Sequence, residues 1–102
     1  MSKKPSVNTL RLQKMARAYT ESATLYAAID LDLFSHIDKG ADSVASLAVA
    51  MDVTPLNAER LVIACQAMGL INETDAQLSN ADDVDRFLVR GKPGYSASWM
   101  TF

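Results

Sequence analysis

The sequence predicts a mainly α-helical domain of winged-helix-like type. Three observations support this fold class. A stretch without glycine or proline over residues 6–33 is amphipathic, and two capped helices follow within residues 43–69. Residues 70–79 then form two short strand-like runs around a polar turn. The expected architecture is therefore a long N-terminal helix, a helix-turn-helix and a small two-stranded β wing.

A chain of 102 residues provides material for one hydrophobic core. The sequence thus predicts a single domain over 1–102, with a flexible basic N-terminus over 1–8 and a linker-like C-terminal tail over 91–102. Apolar residues make up 49% and charged residues 22%, which is typical of a folded protein. No apolar run approaches the length of about 18 residues that crosses a bilayer, so no membrane association and a cytoplasmic location are expected.

Charge is distributed unevenly along the chain. Residues 1–17 carry five basic side chains and no acid, whereas residues 18–85 carry twelve acids against Lys39 and Arg60. A surface with such an acidic balance repels phosphate, so nucleic acid is not the expected partner. Cys65 is the only cysteine and His36 the only histidine, which excludes an intrachain disulfide and a structural zinc site.

The long N-terminal helix carries two rows of apolar residues. With spacings of three and four, the first row predicts one helical face, and a second row lies beside it. One face would meet the domain itself and the other a partner, although a single wide core stripe on a monomer also explains the pattern. The first row is Leu12, Met15, Ala16, Tyr19, Ala23, Tyr26 and Ala27; the second is Ala18, Leu25, Ile29 and Leu33.

A short helix is expected within residues 29–37, ending near Gly40. Next, Ser43 is predicted to cap one helix and Thr54 another, with Pro55 in the first turn of the second, which ends at Gly69. His36 is most simply a packed or surface histidine, and Cys65, on an apolar face, a buried and inert thiol.

The wing is expected as strands over 70–73 and 76–79 around Thr74-Asp75. Asn80 or Ser79 is predicted to cap a further helix from Ala81, with Arg90 and Lys92 at its C-terminal end, where cations suit the helix dipole. The aromatic tail over 95–102 suggests either docking against a partner or a chain that ends before its next element.

Several short motifs, taken in order, resemble one protein family. They are Leu33-Phe34, Met68-Gly69-Leu70-Ile71, Phe87-Leu88-Val89 and Lys92-Pro93-Gly94. Their order and spacing resemble the N-terminal dimerisation domain of plant-type and bacterial small-molecule O-methyltransferases, which depend on S-adenosylmethionine. The resemblance extends from about Tyr19 onward, with one departure: Asp32 stands where the family usually has glycine.

This resemblance implies a homodimer in which the N-terminal helices interlock, each reaching toward the other subunit. The candidate interface residues are Leu12, Met15, Tyr19, Leu25, Tyr26 and Ile29. In the family, S-adenosylmethionine and a histidine base belong to a separate Rossmann-like domain with a glycine-rich loop. No such loop occurs here, so the sequence assigns no catalytic, cofactor-binding or metal residue, and a methyltransferase domain would be missing or separate.

Two other functions remain as alternatives. A winged-helix DNA-binding regulator would use the helix from Pro55 to Met68, but Asn57, Glu59, Arg60 and Gln66 offer few phosphate or base contacts, and the wing is acidic. A helical module that binds a small molecule would hold it among Met15, Tyr19, Tyr26 and Met68, although helical packing alone explains these residues. An independent enzyme has the least support, because no nucleophile, base and orienting group come together.

Overall fold

The computed structural model of the protein describes residues 7–97. Within this range it contains five helices and one two-stranded antiparallel sheet, which confirms the mainly helical fold with a β wing. The elements are α1 (Leu10–Asp30), α2 (Leu33–Asp38), α3 (Val44–Met51), α4 (Pro55–Ala67), β1 (Ile71–Thr74), β2 (Gln77–Asn80) and α5 (Asp82–Phe87).

The long helix α1 is shorter at both ends than the glycine-free stretch. At its start, the side-chain Oδ1 of Asn8 accepts a hydrogen bond of 2.9 Å from the backbone N–H of Leu10. At its end, Asp32 adopts a left-handed conformation with φ of 55°, which stops α1 and lets α2 start in a new direction. Val7 is fully exposed, and the rest of the basic segment, residues 1–6, lies outside the described residues.

The caps expected for the helix-turn-helix are confirmed. The backbone N–H of Ser46 donates to Oγ of Ser43 at 3.1 Å, and the N–H of Ser43 donates back to Oγ of Ser46 at 3.1 Å, so α3 begins with a reciprocal capping box. Thr54 caps α4 by accepting from the N–H of Asn57 at 3.2 Å. The bonds donated by Ser46 and Asn57 satisfy amides that have no partner inside their helices.

The wing is present, but its strands are shifted by one residue from the expected positions. Thr74 pairs with Gln77, so the two-residue turn is Asp75-Ala76, and both turn residues have positive φ, 52° and 63°. This is the geometry of a type I′ hairpin, whose twist matches that of the strands. The N–H of Leu78 donates to the carbonyl of Asp42 at 2.8 Å and attaches the wing to the connection between α2 and α3.

The predicted side-chain cap of α5 is wrong. The helix begins at Asp82 after Ala81, and neither Ser79 nor Asn80 caps it. Instead, Nδ2 of Asn80 donates to the carbonyl of Phe34 at 2.9 Å, a contact that joins the wing to α2. Three acids in the first turn of α5 stabilise its start through the helix dipole: Asp82, Asp83 and Asp85.

The segment after α5, residues 91–97, contacts the domain at its end. The N–H of Ser96 donates to the carbonyl of Phe87 at 2.8 Å, and Ala97 is buried. Lys92 lies beyond the end of α5, and its Nζ pairs with Asp85 at 2.8 Å and Asp38 at 3.6 Å. The remaining aromatic tail, residues 98–102, lies outside the described residues.

The core sits where α2, α3, α4 and the wing meet. Leu33 and Phe34, the motif at the start of α2, are almost completely buried, and Cys65 faces the same interior from α4. Other core side chains are Leu47, Met51, Ala58, Val62, Ile71, Leu78, Val84 and Leu88. From α1 only the C-terminal end enters this core, through Ala28 and Ile29.

Candidate interaction surface

The N-terminal part of α1 projects beyond the core. Every residue from 10 to 23 is exposed, and burial begins only at Thr24 and Leu25. The chain is accordingly long, 60 × 29 × 25 Å, with a radius of gyration of 16.6 Å. A compact domain of this length would have a radius of about 13 Å. We call residues 10–23 the α1 arm.

Four of the six candidate interface residues form a continuous exposed stripe on α1. Leu12 is 58%, Met15 60%, Tyr19 78% and Tyr26 43% exposed. With 3.6 residues per turn, these four side chains fall within about 60° of one another around the helix and extend along about 21 Å. We refer to them as the α1 stripe.

The structure places the other two candidates differently. Ile29 is only 6% exposed, and Leu25 is half-buried against the core. Both side chains are on the side of α1 that faces its own domain, about 70–110° from the centre of the stripe. Ile29 therefore has little surface left for a partner, and the two apolar rows serve different faces of the helix.

An exposed apolar stripe of this kind is unfavourable in water. Removing apolar surface from water contributes about 25 cal/mol per Å², and contiguous apolar patches on a folded protein typically mark an interaction site. Tyrosine and methionine suit such a role, because tyrosine has an apolar ring with a polar tip and methionine adapts its shape to a partner. The α1 stripe is thus the strongest candidate for a binding surface in the described residues.

Between α1 and the end of α4 lies an open cavity of about 390 Å³. Arg17, Glu21 and Thr24 line one side, and Ala64 and Met68 the other. The aromatic residues proposed for a ligand box, Tyr19 and Tyr26, do not line this cavity. The structure therefore does not bring the four residues of the small-molecule hypothesis together.

The outer face of α4 is apolar where a DNA-reading helix needs polar groups. Leu56 and Ile63 are each more than half exposed there, next to Glu59 and Arg60. The wing adds exposed acid at Glu73. Bases and phosphates are recognised chiefly by hydrogen-bond donors and positive charge, which this face does not concentrate.

The residues that could carry chemistry are dispersed. His36 is half-buried on α2, while burial raises the pKa of the Cys65 thiol to about 11, so Cys65 is protonated at neutral pH. No group of three or more histidine, cysteine or acidic side chains forms a metal site within residues 7–97.

The positions of the glycines do not match those of a loop that binds a nucleoside cofactor. A glycine-rich cofactor loop lies between a strand and a helix. Gly40 and Gly69 each follow the end of a helix, Gly91 and Gly94 lie beyond α5, and the only strand-to-helix connection among the described residues is formed by Ala81. We therefore assign no part of a cofactor site to these residues.

Within the described range, no helix combines the length and apolar character that a bilayer crossing requires.

Comparison with known proteins confirms the resemblance found in the sequence. The family model of the O-methyltransferase dimerisation domain matches residues 13–97. The 3-hydroxy-5-methyl-1-naphthoate 3-O-methyltransferase of Streptomyces sahachiroi is 29% identical over 89 residues, which are 87% of this chain. The chain spans only 26% of the length of that relative.

Solved structures show the same fold. Human N-acetylserotonin methyltransferase, in complex with SAM, matches 98% of this chain with a TM-score of 0.83 and 23% identity, over 31% of its own length. An O-methyltransferase family 2 protein of Planctomyces limnophilus, in complex with apigenin, matches 97% of this chain with a TM-score of 0.82 and 16% identity, over 30% of its length.

Proposed function

Because the chain belongs to the O-methyltransferase dimerisation-domain family, we propose that it forms a homodimer through the α1 stripe. In this role it joins two subunits of an O-methyltransferase that uses S-adenosylmethionine. The observation that carries the proposal is the exposure of Leu12, Met15, Tyr19 and Tyr26 along one face of a helix that projects from the core.

The apolar surface that the single chain leaves uncovered supports the proposed dimer. The core of the domain is complete without the α1 arm, so the arm needs another surface to bury its apolar side chains. A stable interface buries about 800 Å² per partner, rich in aromatic residues and methionine at its centre. A second copy of the chain offers a surface of this composition, since it carries the same stripe.

Methyl transfer is proposed for a whole enzyme, not for these residues. S-adenosylmethionine and the methyl acceptor would be held by the part of the family's enzymes that this chain does not cover, because residues 7–97 contain no fitting loop. The contribution of this domain is then to hold the two subunits in a fixed relation to each other.

The test is sedimentation equilibrium on the purified chain across micromolar concentrations. The wild type is expected to be a dimer, and a Tyr19→Asp/Tyr26→Asp double variant a monomer, because two buried carboxylates would have no partner in the interface. The matched control is Leu56→Asp/Ile63→Asp, which places the same charges at the same seven-residue spacing on α4, at similarly exposed positions.

Cooperative urea unfolding, followed by circular dichroism, establishes that each variant keeps its core. A monomeric wild type would contradict the proposal. So would a dimer that survives in the stripe variant and is lost in the α4 variant, which would move the interface to α4.

A further inference from the structure

We propose that the two α1 helices of the homodimer run antiparallel, with Tyr19 facing its own copy across the two-fold axis. Leu12 then meets the partner's Tyr26 and enters an apolar groove beside α1. This inference rests on the proposed homodimer and adds the direction, the register and the docking site of the α1 arm.

The position of the stripe on the molecule favours the antiparallel direction. Leu12, Met15 and Tyr19 lie on the projecting arm, whereas Tyr26 lies where α1 joins the core. Antiparallel packing brings the arm of each copy against the domain of the other, so both ends of the stripe are covered. Parallel packing would pair the two arms away from both domains, and less surface would be buried.

The register follows from the spacing within the stripe. Tyr19 lies seven residues from Leu12 and seven from Tyr26, so it is the midpoint. A two-fold axis brings a surface against its own copy, and a residue at the axis meets itself. With Tyr19 at that point, the two ends of the stripe coincide in space, and seven residues correspond to two helical turns, so both ends stay on the contact face.

A groove at the correct place can receive the end of the arm. This cavity of about 200 Å³ starts at Leu25, the residue before Tyr26, and has almost entirely apolar walls. Its rim includes Phe87, which is 41% exposed although aromatic. The other apolar lining residues are Leu70, Val84 and Leu88. A leucine or methionine side chain from a second copy matches this groove in size and polarity.

Charge supports the same direction. Arg11, Lys14 and Arg17 lie in the first half of α1, while its two acids, Glu21 and Asp30, lie in the second half. Parallel packing would align the two helix dipoles and place the two Arg11 side chains, which lie beside the stripe, at the same end of the interface. Antiparallel packing separates the two Arg11 side chains and opposes the two helix dipoles.

Site-directed cross-linking tests the direction. Single-cysteine additions Leu12→Cys, Tyr19→Cys and Tyr26→Cys are treated with a short bis-maleimide at pH 7. Cys65 can stay in place, because burial raises the pKa of its thiol to about 11 and shields it from the reagent. One variant of each mixture carries a longer tag, so that mixed dimers are resolved by electrophoresis.

The expected result is a covalent dimer for Tyr19→Cys alone and for the mixture of Leu12→Cys with Tyr26→Cys. Neither Leu12→Cys nor Tyr26→Cys should cross-link with itself, since the two copies of each are about 21 Å apart in an antiparallel pair. Self-cross-linking of Leu12→Cys would show parallel helices and overturn the inference. The absence of any cross-link in a sedimenting dimer would overturn it as well.

The groove is tested separately by Phe87→Asp, with Val49→Asp as the control at an exposed valine on α3. The Phe87 variant should raise the dimer dissociation constant at least tenfold and the Val49 variant should leave it unchanged. If both variants change the dissociation constant equally, the groove is not part of the interface. If the wild type itself is a monomer by sedimentation, the proposed function fails; if it is a dimer with another cross-linking pattern, only this inference fails.

Discussion

Asp32 and Arg90, which are 58 residues apart in the sequence, are joined by two contacts of 3.1 Å. Both Nε and Nη2 of Arg90 reach Oδ1 of Asp32, and the guanidinium also stacks over the ring of Tyr95. Asp32 raises the pKa of Arg90 through this hydrogen bond and through its charge. The ion pair links the break between α1 and α2 to the segment that follows α5.

Two substitutions of Asp32 should distinguish the contribution of the ion pair to stability from the contribution of the backbone conformation. Asp32→Ala loses the exposed pair, which contributes little to stability, and places alanine at φ of 55°, which costs about 1 kcal/mol. Asp32→Gly loses the same pair but relieves the left-handed strain. In urea unfolding, alanine should destabilise the domain clearly more than glycine; equal losses would mean that the backbone conformation is not limiting.

Glycine at the wing turn should stabilise the domain. Ala76 has φ of 63° in the type I′ turn, a conformation that glycine adopts without strain. Ala76→Gly should therefore raise the free energy of unfolding by about 0.5 kcal/mol, after the greater entropy of glycine in the unfolded chain is deducted. The control, Ala50→Gly on the exposed side of α3, should lower it by a similar amount. A loss at both positions would contradict the turn geometry.

A methyl group at Gly94 should disturb the packing of the segment after α5. A Cβ there would lie 2.8 Å from the carbonyl oxygen of Arg86, and backbone must move to relieve that contact. Gly94→Ala is expected to lower the free energy of unfolding by about 1–3 kcal/mol. Ser96→Ala, which removes only a hydrogen bond to the carbonyl of Gly94, should cost less. An unchanged unfolding midpoint for Gly94→Ala would show that residues 91–97 do not pack closely.

The thiol of Cys65 should be unreactive in the folded domain. Because burial raises its pKa from 9.0 to about 11, the thiolate fraction at pH 8 falls about 100-fold. A disulfide reagent such as DTNB should label the native chain at least that much more slowly than the chain in urea. Rapid labelling without denaturant would mean that α4 opens easily.

The same shift makes stability depend on alkaline pH. The folded state holds the Cys65 proton more tightly than the unfolded state, so this contribution is present below pH 9 and is lost as the pH rises to about 11. The free energy of unfolding of the wild type should fall over that window. In a Cys65→Ala variant this fall should be smaller. If the free energy of unfolding falls equally with pH in both proteins, Cys65 is not the cause.

Features decided by neighbouring residues could be predicted from the sequence. Ser43 and Thr54 cap their helices because the amides they accept from lie three residues away. Asn80 has the same capping chemistry, yet its amide donates to the carbonyl of Phe34, 46 residues away. No local pattern contains that partner, and so the predicted cap of α5 was wrong.

Contacts between distant parts of the chain also limit what the sequence predicts about the candidate surface. Spacing identified the apolar residues of α1, but the direction of the domain core decides which of them stay exposed. Tyr19 is open to solvent, while Ile29, ten residues later, turns into the core. The wing differed by one residue because Ala76 is not a residue type that marks a left-handed turn.

The α1 arm also has a consequence for how the protein reaches its folded form. A helix of about 12–15 residues is only marginally stable in water without packing, and residues 10–23 are all exposed, with only residues 17–21 beside the end of α4. In the proposed dimer, the order of this segment comes mostly from association, so that folding and assembly share one equilibrium. Dilution would unwind the arm, and its backbone amides would exchange hydrogen with solvent at a rate set by protein concentration.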